Sequence, residues 1–294
     1  MKAFDYVAPR DLGAAVALLA EHGASAKILA GGTDLLVELE AAARVPKVVV
    51  DVSRLKELKG IAVTDGGLRI GAASTHNEIM RSPDLRNLFP ALVEAAHTIG
   101  AVQTRNLGTL AGNLVTCVPS MDSGPALLAL EAEVGIMSPR GAKRMPLAEL
   151  FVRPRKTSLK PDEILTEIVI PKANLGKPSA FLKFGLRKGQ ALALVNVGVA
   201  AWIKKDCFVA PRIALGAVAP TVIRATRAEA FLDGKKVSEE AMAEAGRIAA
   251  TEAKPISDFR ASADYRRDLI ETLTKRALAT AVARAQQSAK EAVA

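Results

Sequence analysis

Residues 27–39, KILAGGTDLLVEL, constrain the fold more than any other stretch. An apolar run of Ile28, Leu29 and Ala30 breaks at Gly31-Gly32-Thr33-Asp34 and gives way to the helix-forming LLVELEAA from Leu35. A strand that stops at paired glycines and resumes as a helix points backbone N–H groups outward, and glycine lets a ligand come close to the chain. Such a turn commonly holds a phosphate. A side chain at Gly32 would resist the sharp turn and fill the space a phosphate needs. The spacing is neither G-x-G-x-x-G nor G-x-x-x-x-G-K-[ST], so the two best-known phosphate loops are absent.

The surroundings of this turn predict a small α/β unit. Residues 11–22, DLGAAVALLAEH, put Leu12, Val16 and Leu19 on one helix face, and VPKVVVDV reads as a strand ending near Asp51. From 56 to 175 the texture becomes α+β. LRIGAAS, EVGIMS and EILTEIVIP read as strands, while SGPALLALEA and DLRNLFPALVEAAHTIG read as helices, the latter capped at Gly100. From 176 onward LALVNVGVAAWI and PRIALGAVA predict antiparallel strands around a K-K-D turn. DYRRDLIETLTKRALATAVARA then places Tyr265, Leu269, Leu273 and Ala277 on one packed helix face, with QQSAKEAVA expected to fray. The expected units are therefore 1–55, 56–175 and 176–294.

Composition removes several classes of function. No apolar run reaches the length of a membrane span, and MKAFDYVAPRDL carries no apolar leader or twin arginine, so a cytoplasmic protein is expected. Two cysteines, Cys117 and Cys207, exclude a disulfide framework and any four-cysteine cluster from this chain alone. The three histidines, His22, His76 and His97, show no ligand spacing, so no metal site is expected. A net charge of +9 raises the question of nucleic acid, but the basic residues are scattered and aromatics make up only 4% of the chain. That is too few for base stacking, and a solvated basic surface facing an acidic partner subunit is the better reading.

A second segment, residues 104–132, carries Gly108-Thr109, Gly112-Asn113, Thr116, Pro119, Asp122 and Gly124-Pro125 ahead of an apolar helix. Thr109, Asn113 and Thr116 can donate hydrogen bonds to anionic oxygens, whereas Asp122, an acceptor, suits a ribose or ribityl hydroxyl. Either segment alone is better read as a tight turn or a close backbone crossing. Together they could grip the two phosphates of a dinucleotide from opposite sides.

The ordered pair A-G-G-T-D-L-L and R-N-x-G-T-x-x-G-N-x-x-T-x-x-P-x-x-D-x-x-P resembles the FAD-binding subunit of molybdenum hydroxylases, of the carbon monoxide dehydrogenase and xanthine dehydrogenase type. SAFLKFGLRKGQALALVNVGVAAW and R-A-S-A-D-Y-R-R extend the likeness over nearly the whole chain. The resemblance implies an α+β fold: a two-part FAD-binding unit of the vanillyl-alcohol oxidase-like (PCMH) type, then a C-terminal domain with a three-stranded antiparallel sheet and helices. It implies that Ile28, Leu29, Ala30, Gly31, Gly32, Thr33, Asp34 and Leu35 wrap the pyrophosphate. Ile99 and Gly100 would lie near the adenosine end or the loop edge. Thr109, Gly112, Asn113 and Thr116 would hold phosphate and ribityl oxygens, and Asp122 a diol. Leu159 and Lys183 would approach the far end of the cofactor. Three departures are visible: Ala111 where relatives have glycine, Cys117-Val118-Pro119 where they have A-S-P, and no extra cluster loop of the reductase branch.

Plainer readings stand beside several of these. Asp34 serves equally as a helix-start acid favoured by the dipole, Cys117 as a small packed residue, and Lys183 as a surface lysine. Arg187 and Lys188 could form a mobile loop near the flavin, but surface solvation is the default reading, and His76 packs or caps at a helix start. No acid–base pair or nucleophile is evident, so no catalytic residue is assigned. The function implied is electron transfer through FAD, with a large molybdopterin-binding subunit and a small 2Fe-2S subunit as partners in a hetero-oligomer. The rivals are a stand-alone flavin oxidoreductase and a non-redox dinucleotide-binding module.

Overall fold

The computed structural model describes residues 2–291. Its first sheet is parallel, with Asp5–Val7 and Ala26–Leu29 flanking the central strand Val48–Asp51. Three consecutive buried valines, Val48, Val49 and Val50, suit a strand covered on both faces. The helix Leu12–His22 begins where the Asp11 side chain accepts from the Ala14 amide at 2.8 Å, and it buries Ala15, Val16 and Leu19 against that sheet. After Gly31-Gly32 the chain enters the helix Leu35–Glu40.

The second sheet is antiparallel and five-stranded, in the order Ile61–Thr64, Gly67–Gly71, Ile164–Pro171, Glu133–Ser138, Gly141–Pro146. The long excursion between Gly71 and Glu133 is helical, and it walls the site. Its members are His76–Arg81, Pro83–Leu88, Pro90–Thr98, Val102–Leu107, Leu110–Thr116 and Ser123–Ala129. The single helix expected over 84–100 is two. Phe89 is fully buried and non-helical at the break, and Pro90, which has no amide to donate, starts the next helix. Gly100 is not the cap; Ile99 is, and Gly100 turns the chain one residue later at φ +52°. The strand read as LRIGAAS ends at Gly71, where the chain turns toward the site.

The third sheet runs Ser179–Gly185, Ala193–Lys204, Cys207–Gly216 and Ile223–Arg224, all antiparallel. The three long strands are those expected; a two-residue strand adds a fourth edge. Lys205 and Asp206 both take positive φ, the turn that matches strand twist. Helices Thr226–Leu232, Glu239–Glu252 and Ala263–Glu291 share a core with this sheet. The last helix continues through Gln286–Glu291, which were expected to fray, and 292–294 lie outside the described residues. The other face of the sheet meets the buried helix Ser123–Ala129. Gly198 lies so close to it that a Cβ would stand 2.5 Å from the Pro125 carbonyl oxygen.

Candidate cofactor site

The two glycine segments meet. A Cβ on Gly31 would fall 2.0 Å from the Leu107 carbonyl oxygen and 2.9 Å from the Gly108 Cα, so only glycine permits the contact. Gly32 answers a different need: its φ is +73°, and a Cβ there would point at Leu36 and Leu29, not into the cavity. The expectation that a Gly32 side chain would fill phosphate space is thereby corrected. Along this turn the amides of Gly31, Gly32, Thr33, Asp34 and Leu35 have no acceptor among the described residues. The Asp34 side chain makes no capping bond either. Burial, then neighbouring Glu38, push its carboxyl above the usual range, the opposite of what stabilisation by a helix dipole does. Asp34 is therefore a solvent-exposed acid beside unpaired donors.

The second segment is already largely satisfied. Leu110 and Ala111 donate to the Ser74 and Ala72 carbonyls at 2.9 and 3.2 Å, and Gly112 to Thr109 Oγ1 at 3.0 Å. Thr109 keeps its hydroxyl proton. Asn113 Oδ1 accepts from Ser123 Oγ at 2.5 Å, which leaves its Nδ2 without an acceptor among the described residues. The Thr116 hydroxyl donates to the Gly112 carbonyl at 2.8 Å, so it can offer lone pairs but not the donor expected of it. What this segment presents is a hydroxyl, an amide and a helix start held against 72–74.

Both segments border a cavity of about 670 Å³, within the ordinary range of roughly 300–1,000 Å³ for cofactor sites. Its wall includes Ile28, Ala30, Gly31, Gly32, Thr33, Asp34 and Leu35, then Ile99, Gly100, Thr109, Gly112, Asn113, Thr116, Asp122 and Leu159. Leu29 and Lys183 are not on it. Leu29 faces away along its strand, its carbonyl accepting from the Val52 amide. Lys183 is no surface lysine: its side chain is only 7% exposed and donates to Asp122 Oδ2 at 2.5 Å and to the Thr98 carbonyl at 3.2 Å. Asp122 Oδ1 accepts from Asn196 Nδ2 at 2.7 Å. Burial pushes the Asp122 carboxyl up, against the pull of Lys183. Asp122 thus braces the cavity wall through Lys183 and Asn196, with lone pairs left for a ligand hydroxyl.

Several wall residues carried no signal in the sequence. Lys27, Arg44 and Glu38 line one part, and burial draws the Lys27 ammonium down. His76 lines another, between the two glycine segments. Gln190, Ala191 and Leu192 close a third, anchored by the Gln190 amide on the Gly100 carbonyl at 3.0 Å. The Arg187 guanidinium, read as solvated, turns back to the Gln190 carbonyl at 2.8 Å. Cys117 is buried as the left-handed cap of Leu110–Thr116, its thiol on the Arg153 carbonyl, and burial pushes that thiol up. Only tertiary contact creates these roles, so no local pattern could have revealed them.

Unpaired amides at a glycine turn, a neutral hydroxyl and amide opposite, and a buried carboxylate beyond suit an anionic dinucleotide bearing hydroxyls. The FAD binding domain of molybdopterin dehydrogenases matches residues 2–173, and the CO dehydrogenase flavoprotein C-terminal domain matches 180–281. The chain belongs to the FAD-binding subunits of the molybdenum hydroxylase family, and is a FAD-dependent oxidoreductase subunit. Among individual proteins it is similar to the carbon monoxide dehydrogenase medium chain of Hydrogenophaga pseudoflava, 34% identical over 96% of this chain and 98% of that one. It is likewise similar to the xanthine dehydrogenase FAD-binding subunit of Escherichia coli O157:H7, 35% identical over 92% and 93%. The solved carbon monoxide dehydrogenase of Hydrogenophaga pseudoflava superposes with a TM-score of 0.92 at 35% identity, covering 96% of this chain and 98% of that one. Quinoline 2-oxidoreductase of Pseudomonas putida 86 gives 0.90 at 30%, covering 97% and 100%.

Proposed function

We propose that this chain is the electron-transfer subunit of a cytoplasmic molybdenum hydroxylase, working with a large molybdopterin-binding subunit and a small 2Fe-2S subunit. The observation that carries the reading is the row of unpaired amides from Gly31 to Leu35, set on a cavity wall and facing the Thr109–Asn113 segment. Bound FAD supplies the redox capacity that links partner iron–sulfur clusters to an external electron acceptor. The protein's own work is to hold and orient it. The turn amides and the Thr33 and Thr109 hydroxyls receive phosphate oxygens, Asn113 donates to a further oxygen, and Asp122 accepts from a hydroxyl. The three sheets support a reading of the chain as units 1–55, 56–175 and 176–294, the first two lining most of the cavity and the third contributing Gln190–Leu192.

Exposed apolar side chains support the partner reading. Val115 and Leu192 lie on the cavity wall, Val102 and Leu107 on the helix that Gly31 abuts, and Leu36 and Val37 follow the glycine turn. A surface of this kind is normally covered. The test is to purify the chain from its native host under gentle conditions, then denature it with acid. One FAD released into the supernatant, with two further subunits copurifying, is the expected result. Release of FMN alone, or a flavin-bearing chain without partners, would overturn the reading in favour of a different flavoprotein or a stand-alone oxidoreductase.

A further inference from the structure

Six buried side chains among the described residues have a polar atom without a hydrogen-bond partner, and of these only His76 lines the cavity. The ring is 2% exposed. It stands as the first residue of the helix His76–Arg81, fixed there by a Thr75–Glu78 capping box. Its backbone amide donates to the Gly108 carbonyl at 3.1 Å, and Thr75 bridges to Thr109. A side chain started on Gly108 would meet His76 Cδ2 and Thr33 Oγ1, each at 3.5 Å. The imidazole therefore sits where the two glycine segments join, beside the unpaired amides.

Burial first, then the charge of Arg105, lower the His76 pKa to about 4, so the ring is neutral at ordinary pH and carries a single N–H. Nδ1 is enclosed and has no hydrogen-bond partner among the described residues. A proton there would leave an unmet buried donor, which is costly, so the proton belongs on Nε2, next to the carbon that faces Gly108 and Thr33. Nδ1 then stays an unpaired acceptor, and Nε2–H, which has no acceptor among the described residues, is the one donor the ring has free for a ligand.

We propose that His76 is a cofactor-binding residue, whose Nε2–H donates to a phosphate oxygen held between Thr33 and Thr109. This rests on the FAD reading of the cavity, but it concerns a side chain that the glycine motifs do not include. A phosphate is the fitting partner because the unpaired turn amides and the two threonine hydroxyls at the junction are also donors, and together they outnumber the one carboxyl there, that of Asp34. The ring would thus act as a neutral donor, supplying direction without adding charge.

The test uses the full-length chain stripped of flavin, titrated with FAD by fluorescence quenching and melted without FAD, for wild type, His76→Met and His76→Gln. The expected loss in His76→Met is roughly ten- to a hundredfold in affinity, the scale of one hydrogen bond to a charged group. Its flavin-free melting temperature should be unchanged or higher, since an orphaned polar ring has been replaced by an apolar side chain. His76→Gln puts an amide donor near the Nε2 position and should recover part of the affinity, and the 31P resonances of its bound FAD should shift from wild type. Equal affinity in His76→Met and wild type would overturn the proposal. So would a large drop in flavin-free melting temperature for both variants without loss of affinity in the folded fraction, or, where His76→Met does not fold, unshifted 31P resonances in His76→Gln. Failure of the wild type itself to bind FAD would instead overturn the cavity reading.

Discussion

Gly31 and Gly32 are neighbours with separate constraints, and substitutions should tell them apart. A methyl on Gly31 collides with the Leu107 carbonyl, a backbone atom that cannot rotate away, so the two segments must separate. Gly31→Ala is expected to cost about 1–3 kcal/mol of stability, as overpacking does, and to weaken FAD binding together with it. Gly32 needs only its left-handed φ, which asparagine also adopts, so Gly32→Asn should keep most of the affinity. Flavin titration of the two variants is the check, and a tolerated Gly31→Ala beside a colourless Gly32→Asn would reverse the assignment. Asp122 illustrates a residue whose role changes once its neighbours are seen. Removing it strands the buried Lys183 ammonium, which typically costs about 3–5 kcal/mol. Asp122→Ala should therefore melt well below wild type, and the double variant with Lys183→Met should recover most of the difference. If the double variant melts no higher than Asp122→Ala, the ion pair is not what the carboxylate supports.

At the scale of elements, the 186–192 connection is the piece most exposed to test. Gln190 holds a positive φ of 48° while its amide donates to Gly100, and Arg187 clasps its carbonyl, so one residue pins the whole connection to the cavity rim. Gln190→Pro removes the donor and forbids that φ. Proteolysis after Arg187 or Lys188 should become several-fold faster, and FAD should dissociate faster, with the sheet cores unaffected. Unchanged cleavage would mean that the anchor is incidental. Most of the regular elements were legible in the sequence, because period-two valine-rich runs and capped amphipathic stretches carry their own signal. Val48–Asp51 and Leu12–His22 are of that kind. The break at Phe89 was missed because apolar periodicity ran through Pro90, although proline there is a helix start. Within the site, the glycine segments were legible since their backbone demands are local. Lys183, His76 and Gln190 were not, because each owes its place to a partner 61, 32 or 90 residues away: Asp122, Gly108 and Gly100.

At the scale of the whole molecule, two hydrophobic cores are joined by charge as well as by packing. Glu131, at a positive φ of 54° beyond the helix Ser123–Ala129, accepts from Arg212 at 2.7 Å on the third sheet and from Asn174 at 3.2 Å. Arg224 stands 3.7 Å from it and Lys177 3.9 Å away. Burial opposes the charge on Glu131, but the Arg212 and Asn174 bonds hold its carboxyl below the usual range. Lys177 is the weak member. It is 0% exposed, its Nζ has no hydrogen-bond partner among the described residues, and burial draws its pKa down from 10.5 to about 8. Because the folded chain gives up this proton more readily than the unfolded chain, the unfolded state holds the extra proton between about pH 8 and 10.5. Stability contributed by this group must then rise with pH across that window, by at most about 1.4 kcal/mol per unit, and below pH 8 the buried ammonium is a standing cost. Lys177→Met removes both effects, while Glu131 keeps Arg212 and Arg224. The variant should be as stable as wild type or more so at pH 7, and its advantage should shrink steadily as pH approaches 10.5. Urea melts of the two proteins at pH 7, 8, 9 and 10 measure this difference, and parallel curves across the series would show that Lys177 keeps an ordinary pKa in the fold.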